Sequence, residues 1–226
     1  MNRQLSDRQL AATKAAVFAG ALVPLAELIH GGLVGGLGAN PIEFVTRATG
    51  TWTFNFLLIT LTVTPLRQIS GWNWLLRLRR MLGLFCFFYA CLHFSTFVWF
   101  DHFFDWTAIA KDVVKRPFVT VGFAAFVLLL PLALTSNAWA IRRLGGKRWR
   151  GLHRTIYGIG VVACIHYFWL VKPVALMYPL SYALLFALLM AWRVRAWLGR
   201  NAGLPAASPL PRLQPTEVKP QAPGSA

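Results

Sequence analysis

Hydrophobic positions in this chain come in long unbroken blocks. Six of them, at about 15–37, 52–69, 81–100, 118–138, 152–171 and 174–192, each approach the ~20 apolar residues that a helix needs to cross a bilayer. The predicted fold class is therefore all-α, a polytopic membrane protein with a six-transmembrane-helix bundle over residues 15–198. Residues 1–14 are a polar segment, too long for the leading region of a cleaved signal, and no small-residue cleavage pattern closes the block that follows. The first span is expected to be retained. From residue 199 to 226 the pattern changes to six prolines among Ala, Ser and Gly, which predicts a disordered tail.

Composition agrees, with 57% hydrophobic and only 13% charged residues. The net charge of +16 would by itself allow a nucleic-acid partner, but its placement argues against one. Alternating the six spans puts 18 Lys and Arg on the face that carries both termini, against the two acids Asp7 and Glu217. The opposite face has five basic residues against four acids. Charge asymmetry of this kind sets topology, so both termini are expected in the cytoplasm. Tryptophans near span ends, among them Trp72, Trp74, Trp99, Trp169 and Trp192, suit the membrane interface.

Two blocks contain a histidine in matching surroundings, ACLHF at 90–94 and ACIHY at 163–167. Both blocks are expected to run from the cytoplasm outward. His93 lies thirteen residues past Arg80 and His166 twelve past Arg154, so both rise roughly 18–20 Å and share a level in the outer half. Polar rings at that depth need partners. An axial pair for haem iron meets the need, with each remaining ring nitrogen donating to a nearby acceptor. The competing reading is two core histidines bonded to neighbouring helices. His153, at the inner end of its block, is open to three roles: a ligand of a second haem, a flavin contact, or a cap on loop carbonyls. No Cys-x-x-Cys-His occurs, so a b-type haem is the default, one or two per chain. Cys86, Cys91 and Cys164 read as small core residues. Arg77, Arg79, Arg80 and Arg150 at the cytoplasmic mouths could bind anionic cofactor groups, a flavin phosphate included. His102, in an outer loop, is expected to be solvated.

The stretches GTWTFNFLLITLTVTPLR, RLRRMLGLFCFFYACLHF and KRWRGLHRTIYGIGVVACIHYFW, in that order, resemble the haem-binding membrane subunit of the periplasmic protein-methionine-sulfoxide reductase system. That family is a branch of the ferric-reductase-like transmembrane superfamily, and the resemblance covers about residues 10–198. It implies a bacterial inner-membrane protein with b-type haem and FMN. Such a subunit relays electrons from the quinone pool, or from a cytoplasmic flavin reductase, to a periplasmic molybdopterin-containing catalytic subunit that repairs oxidised methionine. By position, His93, His153 and His166 match the family's haem-associated histidines. The chain lacks the second histidine of span 3 found in the wider superfamily and shows no nucleotide-binding fingerprint. It is expected to relay electrons while a separate partner reduces the substrate. A quinol-linked cytochrome b or ferric reductase serving another acceptor is the alternative.

Overall fold

A computed structural model describes residues 5–201, and every regular element among them is helical. The expected tail lies outside the described residues except at its start, where a helix continues to Asn201. A compact unit ends at Trp192, and the chain from Arg193 forms a second unit.

Helix α1 (Asp7–Leu33) begins at a capping box in which Ser6 and Gln9 satisfy each other's backbone N–H. Helix α2 (Pro41–Ser70) starts on an Asn40 cap with proline in its first turn and stops at Gly71, whose φ of 73° only glycine adopts cheaply. A short 3-10 turn, Asn73–Arg77, leads into α3 (Arg79–Thr96). The end of α3 widens into a π-helical turn over Phe97–Asp101, three residues beyond the last pentapeptide residue. Helices α4 (Trp106–Lys115) and α5 (Pro117–Leu134) follow, α4 capped by Asp105 and α5 opened by Pro117. Two short helices, α6 (Ala138–Leu144) and α7 (Gly146–His153), precede α8 (Ile156–Leu170) and α9 (Met177–Asn201). The interruption at Arg154–Thr155 leaves His153 outside α8.

Four helical segments are long and apolar enough to cross a membrane: α1, α3 with its π-turn, α5 and α9. Only 11–39% of their most apolar windows is buried inside the protein, so most of the apolar surface points outward. Lipid is the solvent for such a surface, and the molecule is a membrane protein. Helix α2 packs most closely with α3, and α5 with α8; α3 and α5 join the two pairs. The core of the first pair is aromatic, with Phe56 stacked between Phe85 and Tyr89. Tyr89 is wholly buried and its hydroxyl donates to the Ala21 carbonyl at 2.8 Å, pinning α1. Tyr182 of α9 donates to Asn55 of α2 at 2.8 Å. The seam between α3 and α5 is closed by stacked pairs Phe87–Phe126 and Phe94–Phe126.

Candidate cofactor site between two helix pairs

His93 on α3 and His166 on α8 face one another, with ring centroids 6.2 Å apart and planes inclined by 71°. Each ring is tethered inside its own helix pair. Nδ1 of His93 meets the Thr46 carbonyl of α2 at 2.9 Å, and Nδ1 of His166 meets the Phe118 carbonyl of α5 at 2.7 Å. A carbonyl only accepts, so in both rings the proton sits on Nδ1 and the lone pair on Nε2. At Phe118 the helix ladder leaves a lone pair for the imidazole, while at Thr46 the Thr49 hydroxyl also approaches the carbonyl at 3.0 Å.

The spacing can be tested against a metal held between the rings. A first-row metal binds imidazole nitrogen at about 2.0–2.1 Å, and the ring centre lies about 1.1 Å behind that atom, so two axial rings have centroids about 6.2–6.4 Å apart. The observed 6.2 Å meets this requirement. Helices α3 and α8 are not among the closely packed pairs, and they meet through Ala90 and Ile159 in one buried cluster. Next to the carbonyl that holds His93, the Thr46 hydroxyl is buried without a hydrogen-bond partner, a polar atom available to an inserted group. Among the described residues no three His, Cys, Asp or Glu gather as a metal site. Two imidazoles therefore fit a metal whose other positions are filled by its own macrocycle.

His153 is not drawn into this pair. Its Nε2 lies 3.1 Å from the Thr135 hydroxyl, which already donates its single proton to the Pro131 carbonyl at 2.6 Å. With that proton committed to Pro131, the imidazole is the donor to Thr135. The ring stacks on Trp149 at 4.1 Å, and the Trp149 indole donates to the Thr135 carbonyl at 2.9 Å. Arg79 is half-buried, whereas Arg77, Arg80 and Arg150 are exposed, and Arg77 reaches Asp7 only at 3.9 Å.

The expectation of a solvated His102 is overturned. Its Nε2 approaches Asp112 at 3.2 Å, its side chain is only 12% exposed, and its ring stands edge-on to Phe97. The turn at Phe103 and Phe104, both at positive φ, folds the loop back so that α4 covers the histidine. All three cysteines are free; Cys86 is buried and the other two are half-buried.

Residues 48–164, from α2 to two positions short of His166, match the family described as ferric reductase like transmembrane component. Over 215 residues the chain is 54% identical to the protein-methionine-sulfoxide reductase heme-binding subunit MsrQ of Azospira oryzae, covering 95% of this chain and 92% of that one. The chain belongs to the MsrQ family. The MsrQ protein of Herminiimonas arsenicoxydans is 54% identical over 88% of this chain and 94% of its own. That of Bordetella pertussis is 49% identical over 87% and 96%. No solved structure matches significantly. The resemblance carried by the three sequence stretches is thus to the MsrQ family; the sequence called for an acceptor beside each ring without naming it, and the acceptors are two backbone carbonyls. Backbone acceptors have no side-chain signature; one sequence trace is that Thr46 and Phe118 lie 72 positions apart while the histidines lie 73 apart.

Proposed function

We propose that this chain is the haem-binding, electron-transferring membrane subunit of a methionine sulfoxide reductase system, with one b-type haem held between His93 and His166. The observation that carries the reading is the close pair of rings, centroids 6.2 Å apart, with both Nε2 lone pairs free of the tethers. When bound, haem iron supplies one-electron chemistry. The chain's own part is to hold and orient. The Nδ1–H bonds to Thr46 and Phe118 fix each tautomer and raise the basicity of the opposite nitrogen. The apolar helices keep water and unwanted protons from the site. His153 serves the scaffold that joins α5 to α7.

In this reading all six sequence blocks span a bacterial inner membrane, with both termini cytoplasmic. Helix α2 is 30 residues long, ample for a span, and the 15 residues of α8 are extended toward the cytoplasm by α7. Electrons enter from the quinone pool or from a cytoplasmic flavin reductase. FMN binds on the basic cytoplasmic face, where Arg77, Arg79, Arg80 and Arg150 offer cationic contacts. They leave to a periplasmic molybdopterin-containing catalytic subunit, which holds the substrate-reducing site.

A reduced-minus-oxidised spectrum of detergent-purified protein, with haem quantified per chain, tests the core of the proposal. A b-type spectrum near one haem per chain is expected. Colourless protein after haem supplementation during expression would remove the electron-relay function. Reduction of the haem by a quinol analogue, followed by reoxidation on adding the catalytic subunit with methionine sulfoxide, tests the direction of flow. Reoxidation equally fast with ferric chelates would favour a ferric reductase.

A further inference from the structure

The pairs α2–α3 and α5–α8 repeat one arrangement around their histidines. In both, the position four residues beyond the accepting carbonyl, one turn along the same helix face, is glycine: Gly50 after Thr46 and Gly122 after Phe118. Both glycines lie against the tethered ring. A Cβ on Gly122 would stand 2.6 Å from Cε1 and 2.7 Å from Nδ1 of His166. One on Gly50 would stand 3.0 Å and 3.2 Å from the same atoms of His93. Neither glycine is required by its backbone, since both sit inside helices where alanine is the better former. The close approach of imidazole to helix is what requires them. Among the described helix glycines only these two lie against an imidazole: Gly160 on α8 meets the Phe186 ring, Gly158 on α8 has nothing within 4 Å, and Gly83 on α3 has only a Thr60 methyl at 3.8 Å.

We propose that Gly50 and Gly122 are positioning residues for the two axial histidines: their missing side chains let each ring reach the carbonyl one turn away and so aim Nε2 at its counterpart. The inference rests on the reading of His93 and His166 as axial ligands. The two sides are unequal. At 2.6 Å the His166 ring must leave its place if Gly122 becomes alanine, whereas at 3.0 Å the His93 ring need only shift slightly. A ring that moves away from its carbonyl loses the Nδ1–H bond that makes Nε2 electron-rich, and a poorer donor leaves ferric iron less stabilised. The midpoint potential then rises.

The test uses the full-length protein in detergent with four variants: Gly122→Ala, Gly50→Ala, Gly158→Ala and Gly83→Ala. Gly122→Ala is expected to retain haem about 10- to 100-fold more weakly, the usual cost of losing a metal ligand's outer partner. Its remaining haem should show a raised midpoint potential and an altered low-spin paramagnetic resonance spectrum. Gly50→Ala should shift both in the same direction by less, and the other two should match the parent. Parental occupancy, potential and spectrum in Gly122→Ala would overturn the proposal. Should that variant fail to fold, an unchanged potential in Gly50→Ala overturns it equally. If the parent protein itself binds no haem, the axial-ligand reading fails separately. The positioning claim is then read from 15N-histidine signals of the apoprotein, where Gly122→Ala must disturb the Nδ1–H tautomer of His166; an undisturbed tautomer refutes it.

Discussion

Replacing His153 with alanine separates a ligand from a scaffold residue. The substitution removes the Nε2–H bond to Thr135 at 3.1 Å and the stack on Trp149 at 4.1 Å. A hydrogen bond between neutral groups contributes about 0.5–1.5 kcal/mol net, and a stacked ring pair about 0.5–1.5 kcal/mol beyond its area. Trp149 keeps its own bond to the Thr135 carbonyl, so the joint between α5 and α7 is weakened without being released. The expected loss is about 1–3 kcal/mol. For a chain of this size a soluble domain shifts about 2–4 °C per kcal/mol, so Tm should fall by about 2–12 °C. Haem per chain should stay at the parental value, because the His93–His166 pair is untouched. Scanning fluorimetry and haem quantification on the same detergent preparation give both readouts. Haem falling to half while Tm stays constant would refute the reasoning and make His153 a ligand.

The axial pair itself predicts that His93→Ala and His166→Ala each abolish the low-spin haem spectrum, and a parental spectrum in either variant would break the pairing. Gly160→Ala should destabilise the crossing of α8 and α9 by about 1–3 kcal/mol, an overpacking cost, because the new methyl would stand 2.3 Å from the Phe186 ring. Adding Phe186→Leu should recover much of that loss in the same melt. Tyr89→Phe should cost about 1 kcal/mol by removing the hydroxyl that holds the Ala21 carbonyl, with the haem spectrum unchanged.

Hydropathy alone located the four helical segments long and apolar enough to cross a membrane, because length and composition are what a bilayer demands of a helix; the blocks at 52–69 and 152–171 fall on the 30-residue α2 and the 15-residue α8. The equal depth of His93 and His166 was also legible: counting residues from the basic flanks brings both to one level, and the rings do meet. The short helices α4, α6 and α7 were not legible, since each lies largely in what reads as a loop; α4 and α6 are set by the local caps Asp105 and Asn137, and α7 follows Gly145 without a side-chain cap. His102 was misread for a related reason. Its burial depends on α4 folding over it, a contact between Asp112 and a turn ten residues earlier that periodicity does not register. The surroundings of His153 were not legible either: the sequence leaves it open to three roles, and its contacts with Thr135 and Trp149 come from residues on either side of a helix junction.

Both tethers stay within a helix pair: α2 holds the histidine of α3, and α5 holds that of α8. The first pair is complete by Asp101, before any residue of the second has been synthesised. Each half can therefore set its own imidazole in place as it enters the membrane, without waiting for the other or for a cofactor. Closing the second hairpin onto the first brings together two ligands already aimed.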